Sequence, residues 1–363
     1  MTAVDQLGLE LLIIVPAGAP PHKDLPAGTP PADMRLHMTR SAFLNAPGVI
    51  VSDIEIEKTG ASYTVDTVEA IRRDYPGAQL FLLVGTDMFL TLDMWKDSET
   101  LLKSATPAVF SRSTEDTERI SGYAESLLKR YGVRSETITN CIVDISSSQL
   151  RELLPRREGA RYIDDTTYSY IIKNRLYGAK PDWDWLRGRA FSMLNPIRIP
   201  HVTGCEEEAV RLAKRWGGDP DDAREAAILH DITKKLAKED NLSILEEHGI
   251  PVVKLENAGE KLLHSKSGAA LAKALFGVSD EVAGAIMWHT TGKSGMSLLE
   301  KVIYLADYIE PTRDFPGVDA MRAAAYEDID TALIMGFETS IQDMTERGIT
   351  PDRTTFDALD DLK

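Results

Sequence analysis

The chain has 363 residues, of which 43% are hydrophobic and 27% are charged, and its formal net charge is −16 at pH 7. This length allows two domains with a core each, and the acidic balance argues against a general nucleic-acid or membrane-surface binder. No stretch predicts a signal peptide or a membrane span, and the two cysteines, Cys141 and Cys205, lie far apart without metal-type spacing. We therefore expect a cytoplasmic protein that binds anionic substrates through local positive charge or metal ions.

Strand-like and helix-like stretches alternate over the first half of the chain. Apolar runs such as "LLIIVPAG", "VIVSDIEI" and "QLFLLVGTD" are separated by the helical patterns "MRLHMTRSAFLNA" and "TVDTVEAIRRDY". This alternation predicts an α/β domain with a mainly parallel sheet, in which "LELLIIVPAG" contains a buried strand. Glycine and proline interrupt the pattern near "NRLYGAKPDWDW", so we expect a first domain over residues 1–178, followed over residues 179–192 by a linker and the start of the first helix.

Three stretches of the first half place polar or aromatic side chains at the ends of predicted elements. They are the loop in "VPAGAPPHK", the helix start in "TGASYTVDTVEAIRRDYP", and the strand end in "FLLVGTDMFLTLDMWKD". Taken one at a time, these stretches also fit plain structural roles, such as a turn or a core tryptophan. The candidate residues within them are His22, Lys23, Thr64, Gly85, Asp87 and Trp95.

A fourth stretch, "CIVDISSSQLRELL", is predicted to be a strand followed by a run of serines at the start of a helix. Hydroxyls and free backbone N–H groups at a helix N-terminus can bind phosphate, because the helix dipole is positive there. Arg151 lies about one turn inside the helix and could add a bidentate contact. Taken alone, this stretch fits a simple helix N-cap better than a phosphate site.

Together, in this order and spacing, the motifs "PPHK", "SYTVDT", Gly-x-Asp followed by Trp, and "ISSSQLR" resemble those of nicotinate-nucleotide adenylyltransferases over residues 1 to about 178. The resemblance implies a Rossmann-like nucleotidyltransferase domain that joins nicotinate mononucleotide and ATP, with Mg²⁺, into deamido-NAD and pyrophosphate. It also implies a set of ATP-contacting residues, which are Gly85, Asp87, Ser147, Ser148 and Arg151.

The same resemblance implies that Thr64 and Trp95 line the nicotinate pocket and that His22 and Lys23 lie near the phosphate of the mononucleotide. In that family, however, the chain opens with a strand and a Gly-x-Phe-x-Pro-x-His-x-Gly-His loop, whose histidines stabilise the transferring phosphoryl group. This sequence begins inside the helix that follows, and His22 and His37 belong to other motifs. The loss of the two loop histidines should lower the rate of adenylyl transfer by several powers of ten.

Two explanations for this departure stay open. Either the native protein carries about 25 to 30 further residues, roughly one strand–loop–helix unit, or the domain has become a nucleotide-binding module. The substrate motifs remain chemically intact, which favours truncation.

Nearly every pattern after the boundary is that of a helix, which predicts an all-α second domain over residues 193–363. Within it, "AREAAILHDITKKLA", residues 223–237, is predicted to be one helix that begins after the N-cap Asp219. Its small apolar face carries two adjacent polar residues, His230 and Asp231. By themselves, these two fit a hydrogen-bonded core histidine beside a solvated aspartate.

Further histidines make that simple explanation weaker, because five of the seven in the sequence lie between His201 and His289. His201 opens one predicted helix, His264 lies inside another, and His289 ends a third. Asp307 interrupts the apolar helix "SLLEKVIYLADYIEP", where an unpaired charge is costly. Only His248, at a polar helix end, is predicted to lie on the surface.

Imidazole and carboxylate groups together suit a first-row transition metal, and six of them suit two ions that share a ligand. The order of these residues, and the block "HTTGKSGMSLLEKVIYLADYIEP", resemble the HD-domain metal phosphohydrolases and, among them, the bacterial symmetrical dinucleoside-tetraphosphate hydrolases, over about residues 183 to 363. The resemblance implies a binuclear, di-iron centre with Asp231 as the bridging carboxylate. The implied ligands are His201, His230, Asp231, His264, His289 and Asp307.

The implied reaction is the symmetrical cleavage of diadenosine tetraphosphate to two ADP, with Asp231 and Lys234 as the catalytic residues. Several cations lie near the implied ligands in sequence and could hold phosphates, although each also fits a solvated surface position: Lys234, Lys235, Lys266, Lys293 and Arg313. Lys234 is favoured because it follows His230 by one helical turn. Alternatively, the second half is a nucleotidase or a signalling-nucleotide phosphatase and the first half a nucleotide sensor. A homo-oligomer stays open.

Overall fold

The structure, a computed structural model, describes residues 2–18, 26–111, 116–139, 145–251 and 260–363. The chain forms two compact units. The first contains Met1–Leu153, Tyr162–Tyr168 and Leu176–Gly178, and the second contains Leu154–Arg161, Ser169–Arg175 and Ala179–Lys363. In the described ranges, no helix is both long and apolar enough to cross a membrane. Our boundaries at residues 178 and 193 stay predictions.

Helices and short strands alternate in the first unit, as the sequence predicts. The elements are α1 (Thr2–Leu7), β1 (Leu12–Ile14), α2 (Ala32–Ala42), β2 (Val49–Val51), α3 (Thr64–Asp74), β3 (Phe81–Gly85), α4 (Thr86–Phe89), α5 (Ser98–Ser104), β4 (Thr106–Phe110), α6 (Asp116–Tyr131), β5 (Glu136–Ile138) and α7 (Ser147–Leu153). A further helix, α8 (Asp165–Lys173), has residues in both units.

Among the described residues of the first unit, the strand pairs are parallel, but they form two sheets rather than the single sheet that we expected. β1 pairs with β2, and β3, β4 and β5 form the second sheet in that order. β1 is also only half-buried, so the prediction of a buried strand there was wrong. The strand predicted in "CIVD" lies outside the described residues.

The helix α1 completes the edge of the second sheet through a side chain. Gln6 donates a hydrogen bond from Nε2 to the carbonyl oxygen of Thr139 at 2.5 Å, and its Oε1 accepts one from the Thr139 N–H at 3.0 Å. Thr139 directly follows β5, and Ala3 of α1 packs with Ala108 and Ile138 beneath this contact. The Gln6 amide thus satisfies backbone groups that an adjoining strand would otherwise pair.

The second unit is helical, as predicted. Its remaining helices are α9 (Trp183–Ser192), α10 (Ile199–Trp216), α11 (Pro220–Leu229), α12 (Lys238–Glu247), α13 (Glu260–Phe276), α14 (Asp280–Trp288), α15 (Leu298–Ile309), α16 (Val318–Glu327), α17 (Ile329–Glu346) and α18 (Arg353–Leu362). The helix starts follow the expected chemistry. Asp219 caps α11 by accepting hydrogen bonds from two backbone N–H groups, and Ser297 and Glu300 form a capping box at α15.

One predicted helix of this unit ends early. The stretch 223–237 is helical only to Leu229, where α11 ends, and the chain then makes turns with short-range bonds such as Lys234 N–H to Asp231 O at 2.9 Å. A tertiary bond holds this turn, because the Thr233 hydroxyl donates to the carbonyl oxygen of His264 at 2.8 Å. The spacing of apolar residues in the sequence gives no signal of such a bond, so it could not predict this helix end. The prediction that Lys234 follows His230 on one helical face was therefore wrong.

The core of the second unit joins the helices that carry the predicted ligands. Small and branched side chains of α10, α11, α14 and α15 pack together in one cluster, which α17 extends through Phe337. The fully buried side chains include Leu212, Ile286 and Tyr304. Such packing fixes the helix positions to within a fraction of a side chain, so the polar residues that interrupt this core are also held in place.

Candidate metal centre

The elements of the second unit bring the six predicted ligands into one buried cluster. His201 lies in the first turn of α10, His264 lies in α13, and Asp307 lies near the end of α15. His230 and His289 are the C-cap residues of α11 and α14. All of these side chains are buried except that of Asp307, which keeps 16% of its surface exposed.

Asp231 lies at the middle of this cluster and divides it. Its Oδ2 lies 3.8 Å from Nε2 of His201 and 3.6 Å from Nε2 of His230. Its Oδ1 lies 3.2 Å from Nε2 of His264 and 3.7 Å from Nε2 of His289. Each carboxylate oxygen therefore faces its own pair of imidazoles, which is the arrangement that a carboxylate shared by two cations requires.

Several ring nitrogens of the cluster are turned inward with their lone pairs available. Nδ1 of His230 contacts the Ala227 carbonyl oxygen at 2.7 Å, and Nδ1 of His289 contacts that of Ile286 at 2.7 Å. A carbonyl only accepts, so both Nδ1 atoms carry the proton and both Nε2 atoms face the cluster as acceptors. Nε2 of His230 is buried and has no hydrogen-bond partner within the described residues.

Other contacts show the same convergence of acceptor atoms. Nε2 of His289 lies 3.2 Å from Nε2 of His264, and Nε2 of His201 lies 3.1 Å from Oδ1 of Asp307. Buried acceptors that face one another this closely need protons or a cation between them.

Burial and mutual repulsion keep two of the imidazoles neutral. Burial, reinforced by the nearby His230 and His264, lowers the pKa of His289 to about 3, and burial also lowers the pKa of His230. Burial alone would raise the pKa of Asp231, but attraction to the charged form of His230, a hydrogen bond with His264 and the nearby Lys234 ammonium outweigh it and hold this pKa well below its ordinary value. Neutral imidazoles beside an ionised carboxylate are the protonation states that metal ligands need.

The donor set fits a pair of divalent first-row metal ions. One group that could hold a metal ion comprises His201, Cys205, His230 and Asp307, and a second comprises His230, Asp231 and His289, with all ligand atoms of each group within 4.8 Å of one another. Nitrogen and carboxylate oxygen donors of this kind suit such ions, and Nε2 of His230 is one of the buried side-chain atoms of the described residues that have no hydrogen-bond partner in the protein.

Two cations also contact Asp231. Nζ of Lys234 lies 3.4 Å from Oδ1 of Asp231 and 3.1 Å from Nε2 of His264, so Lys234 reaches the cluster even though it is not on a helix. Arg198, which precedes α10, forms an ion pair with Oδ2 of Asp231. The two cations thus flank Asp231 on its two oxygens.

Three of the other candidate cations contact residues outside the cluster, and the fourth, Arg313, contacts the cluster member Asp307. Lys235 donates to the Ser192 carbonyl oxygen at 3.0 Å, Lys266 lies over the Trp288 ring at 4.4 Å, and Lys293 pairs with Glu300 at 3.1 Å. The partly exposed side chain of Arg313 contacts a proposed ligand, with its Nη2 at 2.5 Å from Oδ1 of Asp307.

Sequence reasoning missed three residues of this region. They are Arg198, Cys205, whose Sγ lies 3.6 Å from Nε2 of His201, and Glu310, whose Oε1 lies 3.0 Å from Nδ1 of His201. Arg198 precedes His201 by three residues and Cys205 follows it by four, so helical spacing could have indicated both. Glu310 is distant from His201 in sequence, but it follows the predicted ligand Asp307 by three residues, so the same spacing could have indicated it. Burial raises the pKa of the Cys205 thiol well above its ordinary value.

The candidate residues of the first unit are less enclosed. Gly85 ends β3 as the N-cap of α4, and Asp87 is exposed in that helix. Thr64 begins α3, and the half-buried Trp95 packs beside Val65, the next residue of α3, so the structure brings these two regions together. His22 and Lys23 lie outside the described residues.

The serine run starts α7 as predicted, and one serine does the capping. Oγ of Ser146 accepts a hydrogen bond from the Gln149 N–H at 3.2 Å, while Oε1 of Gln149 accepts one from the Ser146 N–H at 2.7 Å. Ser147 and Ser148 are exposed in the first turn of α7, and Arg151 is half-buried in its last turn. The cap therefore uses Ser146 and leaves the next two hydroxyls facing outward.

Two family models match the chain. Residues 198–312 match the model described as "HD domain", and residues 1–153 match the one described as "Cytidylyltransferase-like". The second half is 43% identical over 149 residues to "Bis(5'-nucleosyl)-tetraphosphatase, symmetrical" of Bacillus subtilis (strain 168), a match that covers 41% of this chain and 80% of that protein.

The first half is similar to a "Probable nicotinate-nucleotide adenylyltransferase" of Gemmatimonas aurantiaca, with 36% identity over 183 residues, 49% of this chain and 83% of that protein. Among solved structures, a "predicted HD superfamily hydrolase involved in NAD metabolism" from Clostridium acetobutylicum is 39% identical. The match covers 50% of this chain and 96% of that protein's chain, with a TM-score of 0.48.

Proposed function

Because the chain belongs to the cytidylyltransferase-like family in its first half and to the HD-domain family in its second, we propose that it is a bifunctional nucleotide enzyme. The membership confirms both resemblances and the predicted fold class, a Rossmann-type domain with parallel strands followed by a helical HD domain. A nucleotidyltransferase-like domain thus precedes an HD hydrolase domain, and an HD domain implies divalent metal binding. The specific substrates and metal are our proposal.

For the second half, we propose the symmetrical hydrolysis of diadenosine tetraphosphate to two ADP at a di-iron centre. The division of Asp231 between two pairs of imidazoles is the observation that carries this proposal. When bound, a pair of such ions supplies a nucleophile at neutral pH and neutralises charge on the transferred phosphoryl group. The residues that would hold them are His201, His230, Asp231, His264, His289 and Asp307.

The side chains around the cluster have separate tasks in this proposal. Asp231 bridges the two halves of the site, and its low pKa keeps it ionised across the neutral range. Lys234 keeps 31% of its side chain exposed, so its ammonium can turn from Asp231 toward a phosphate of the substrate. Arg198 is exposed to a similar extent and can contact the same polyphosphate. Such contacts orient the substrate for in-line attack.

For the first half, we propose the transfer of an adenylyl group from ATP, with Mg²⁺, to nicotinate mononucleotide. The outward hydroxyls of Ser147 and Ser148, with Arg151 in the same helix, support a phosphate contact there. Gly85 and Asp87 at the end of β3 are the other proposed ATP contacts, because ligands of open parallel sheets bind at the carboxyl ends of strands. Thr64 and Trp95 are proposed to line the nicotinate pocket, together with His22 and Lys23 near the phosphate.

Product identification tests the hydrolase proposal. The purified chain, loaded with iron, is incubated with diadenosine tetraphosphate, and the products are separated by chromatography. Two ADP per substrate are expected, and release of AMP plus ATP would contradict the symmetrical assignment. Nucleoside monophosphates and guanosine tetraphosphate are tested in parallel. Faster turnover of either would favour a nucleotidase or a signalling-nucleotide phosphatase instead.

A further inference from the structure

A buried carboxylate that the proposed hydrolysis does not use lies directly behind one of the proposed ligands. Glu310 follows α15, its side chain has no exposed surface, and its Oε1 lies 3.0 Å from Nδ1 of His201. His201 points its other nitrogen, Nε2, at Oδ1 of Asp307 at 3.1 Å. The His201 ring is thus held between a carboxylate on its outer side and the cluster on its inner side.

The Glu310 carboxylate is itself held firmly. Its Oε2 accepts a hydrogen bond from the Thr312 N–H at 2.6 Å, and its Oε1 accepts one from the Thr312 hydroxyl at 2.5 Å. Arg322 of α16 donates to the carbonyl oxygens of Ile309 and Glu310, at 2.9 and 3.0 Å, and of Arg313, at 2.8 Å. The turn that carries Glu310 is therefore fixed at its backbone and at its carboxylate.

A glycine inside α10 makes room for this carboxylate. A Cβ atom on Gly204 would lie 2.6 Å from Oε2 of Glu310 and 3.2 Å from Cδ of Pro311. Glycine is unfavourable in a helix interior, so its presence in this buried turn of α10 needs a reason. The close approach of Glu310 supplies that reason.

We propose that Glu310 is a positioning residue that fixes the tautomer and orientation of His201. Gly204 leaves the space that the Glu310 carboxylate occupies. Carboxylates face both ring nitrogens of His201, so when a cation lies between Nε2 and Asp307, Nδ1 carries the proton toward Glu310 and Nε2 presents its lone pair to the cluster. His230 and His289 obtain the same result from backbone carbonyls, at Ala227 and Ile286. The inference rests on the proposed metal centre, where a carboxylate behind an imidazole strengthens it as a ligand.

Two variants and one matched control test this inference on the full chain. Glu310→Gln replaces one acceptor oxygen with an NH₂ group, which cannot accept from the Thr312 N–H or from His201. Gly204→Ala leaves the carboxylate chemically unchanged but pushes it away by steric contact with the added methyl group. Gly188→Ala, in the helix α9, is the control because its Cβ would have no atom within 4 Å. Thermal unfolding of each metal-free variant identifies any that do not fold.

The first readout needs no metal. Nitrogen-15 NMR of histidine-labelled, metal-free protein reports the ring tautomer, with His201 assigned by the loss of its signal in His201→Gln. We expect Nδ1 of His201 to carry a proton in the wild type and in Gly188→Ala, whether or not Nε2 beside Asp307 is also protonated, and to lose that proton in a fraction of the Glu310→Gln and Gly204→Ala molecules. An unchanged His201 signal in a folded Glu310→Gln variant would overturn the inference.

The second readout is titration with Mn²⁺ followed by calorimetry. Glu310→Gln and Gly204→Ala are expected to weaken one of two Mn²⁺ sites by about 10- to 100-fold and to leave the other unchanged. Equal affinities in all variants would contradict the positioning role. A wild-type chain that binds no Mn²⁺ or Fe²⁺ overturns the proposed function instead, and the tautomer measurement still decides the role of Glu310.

Discussion

The two halves of the molecule present their candidate residues in opposite ways. In the second unit, four imidazoles and two carboxylates are enclosed by helices and satisfy one another only in part. In the first unit, Asp87, Ser147 and Ser148 are exposed at the ends of a strand or the start of a helix. A metal site needs ligands that are oriented and deprotonated, and packed helices around buried side chains meet both needs. A nucleotide site can use exposed groups that the ligand itself then covers.

Because of this contrast, the geometry of the side chains supports the two proposed activities to different extents. In the second unit, the geometry adds an independent argument to family membership, since His230 keeps a buried, unpartnered nitrogen aimed at the cluster. In the first unit, family membership is the main support for the proposed adenylyl transfer, and the structure adds the exposed hydroxyls at the start of α7. The following changes are designed to separate the two halves.

The largest expected effect comes from removing the shared carboxylate. Asp231→Ala should abolish metal binding and lower the hydrolysis of diadenosine tetraphosphate by more than about 10³-fold, because even one lost transition-state donor costs about 10²–10³ in kcat. ATP binding by the first half should not change. Metal analysis, product release and ATP titration measure these three quantities. His248→Ala, an exposed helix end, is the control that should retain all of them.

A smaller effect is expected at Lys234. Lys234→Ala should lower kcat/KM for hydrolysis by roughly 10- to 100-fold, since a hydrogen bond to a charged group contributes about 1.5–3 kcal/mol. The metal content should remain that of the wild type, because Lys234 is a cation and not a ligand. Lys235→Ala is the matched control, as this neighbour is exposed and bonded to Ser192. Equal losses in both variants would remove Lys234 from the mechanism.

In the first half, the corresponding change is Arg151→Ala. We expect the Kd for ATP to rise about tenfold, because the variant loses one charge-assisted hydrogen bond to phosphate. Hydrolysis by the second half should be unaffected. Calorimetric titration measures the Kd, and Arg134→Ala, at an exposed position, serves as the control. An unchanged affinity for ATP would mean that the start of α7 is a helix cap and no phosphate site.

The smallest effect concerns acid stability of the first half. A hydrogen bond from the Tyr123 hydroxyl, helped by Arg130, holds the pKa of Asp93 below its ordinary value. Its stabilising contribution is therefore present above the unfolded pKa, near 3.9, and is lost as the pH falls through the lower folded value. Asp93→Asn should remove this dependence. Hydrogen exchange of α6 peptides between about pH 5 and 3 measures it, and equal slopes in both proteins would contradict it.

Much of the second half could be predicted from sequence because its ligands occur in helical patterns with capped starts and glycine ends. The end of α11 at His230 and the contact between His201 and Glu310 could not, whereas the end of α14 at His289 was predicted. The His201–Glu310 contact joins residues 109 positions apart, and the turn after α11 is held by a bond to another helix. Such features depend on tertiary packing, which apolar spacing does not encode.

The first half shows the same limit in its sheet. Alternating strands and helices, and the start of α7 at the serine run, followed from local patterns. The division of five strands into two sheets did not, because strand order depends on which backbone edges meet and not on the character of each strand. Likewise, the use of Gln6 at the sheet edge is a contact between residues 133 positions apart.

The central claim is that side chains from separate helices hold two metal ions on the two oxygens of Asp231. The most direct test is the metal content of the purified wild-type chain and of Asp231→Ala, measured by plasma mass spectrometry after equilibration with Fe²⁺ and removal of free ion. We predict two ions per wild-type chain and none in the variant. A wild-type chain with no bound ion, or a variant with as many ions as the wild type, would contradict the claim.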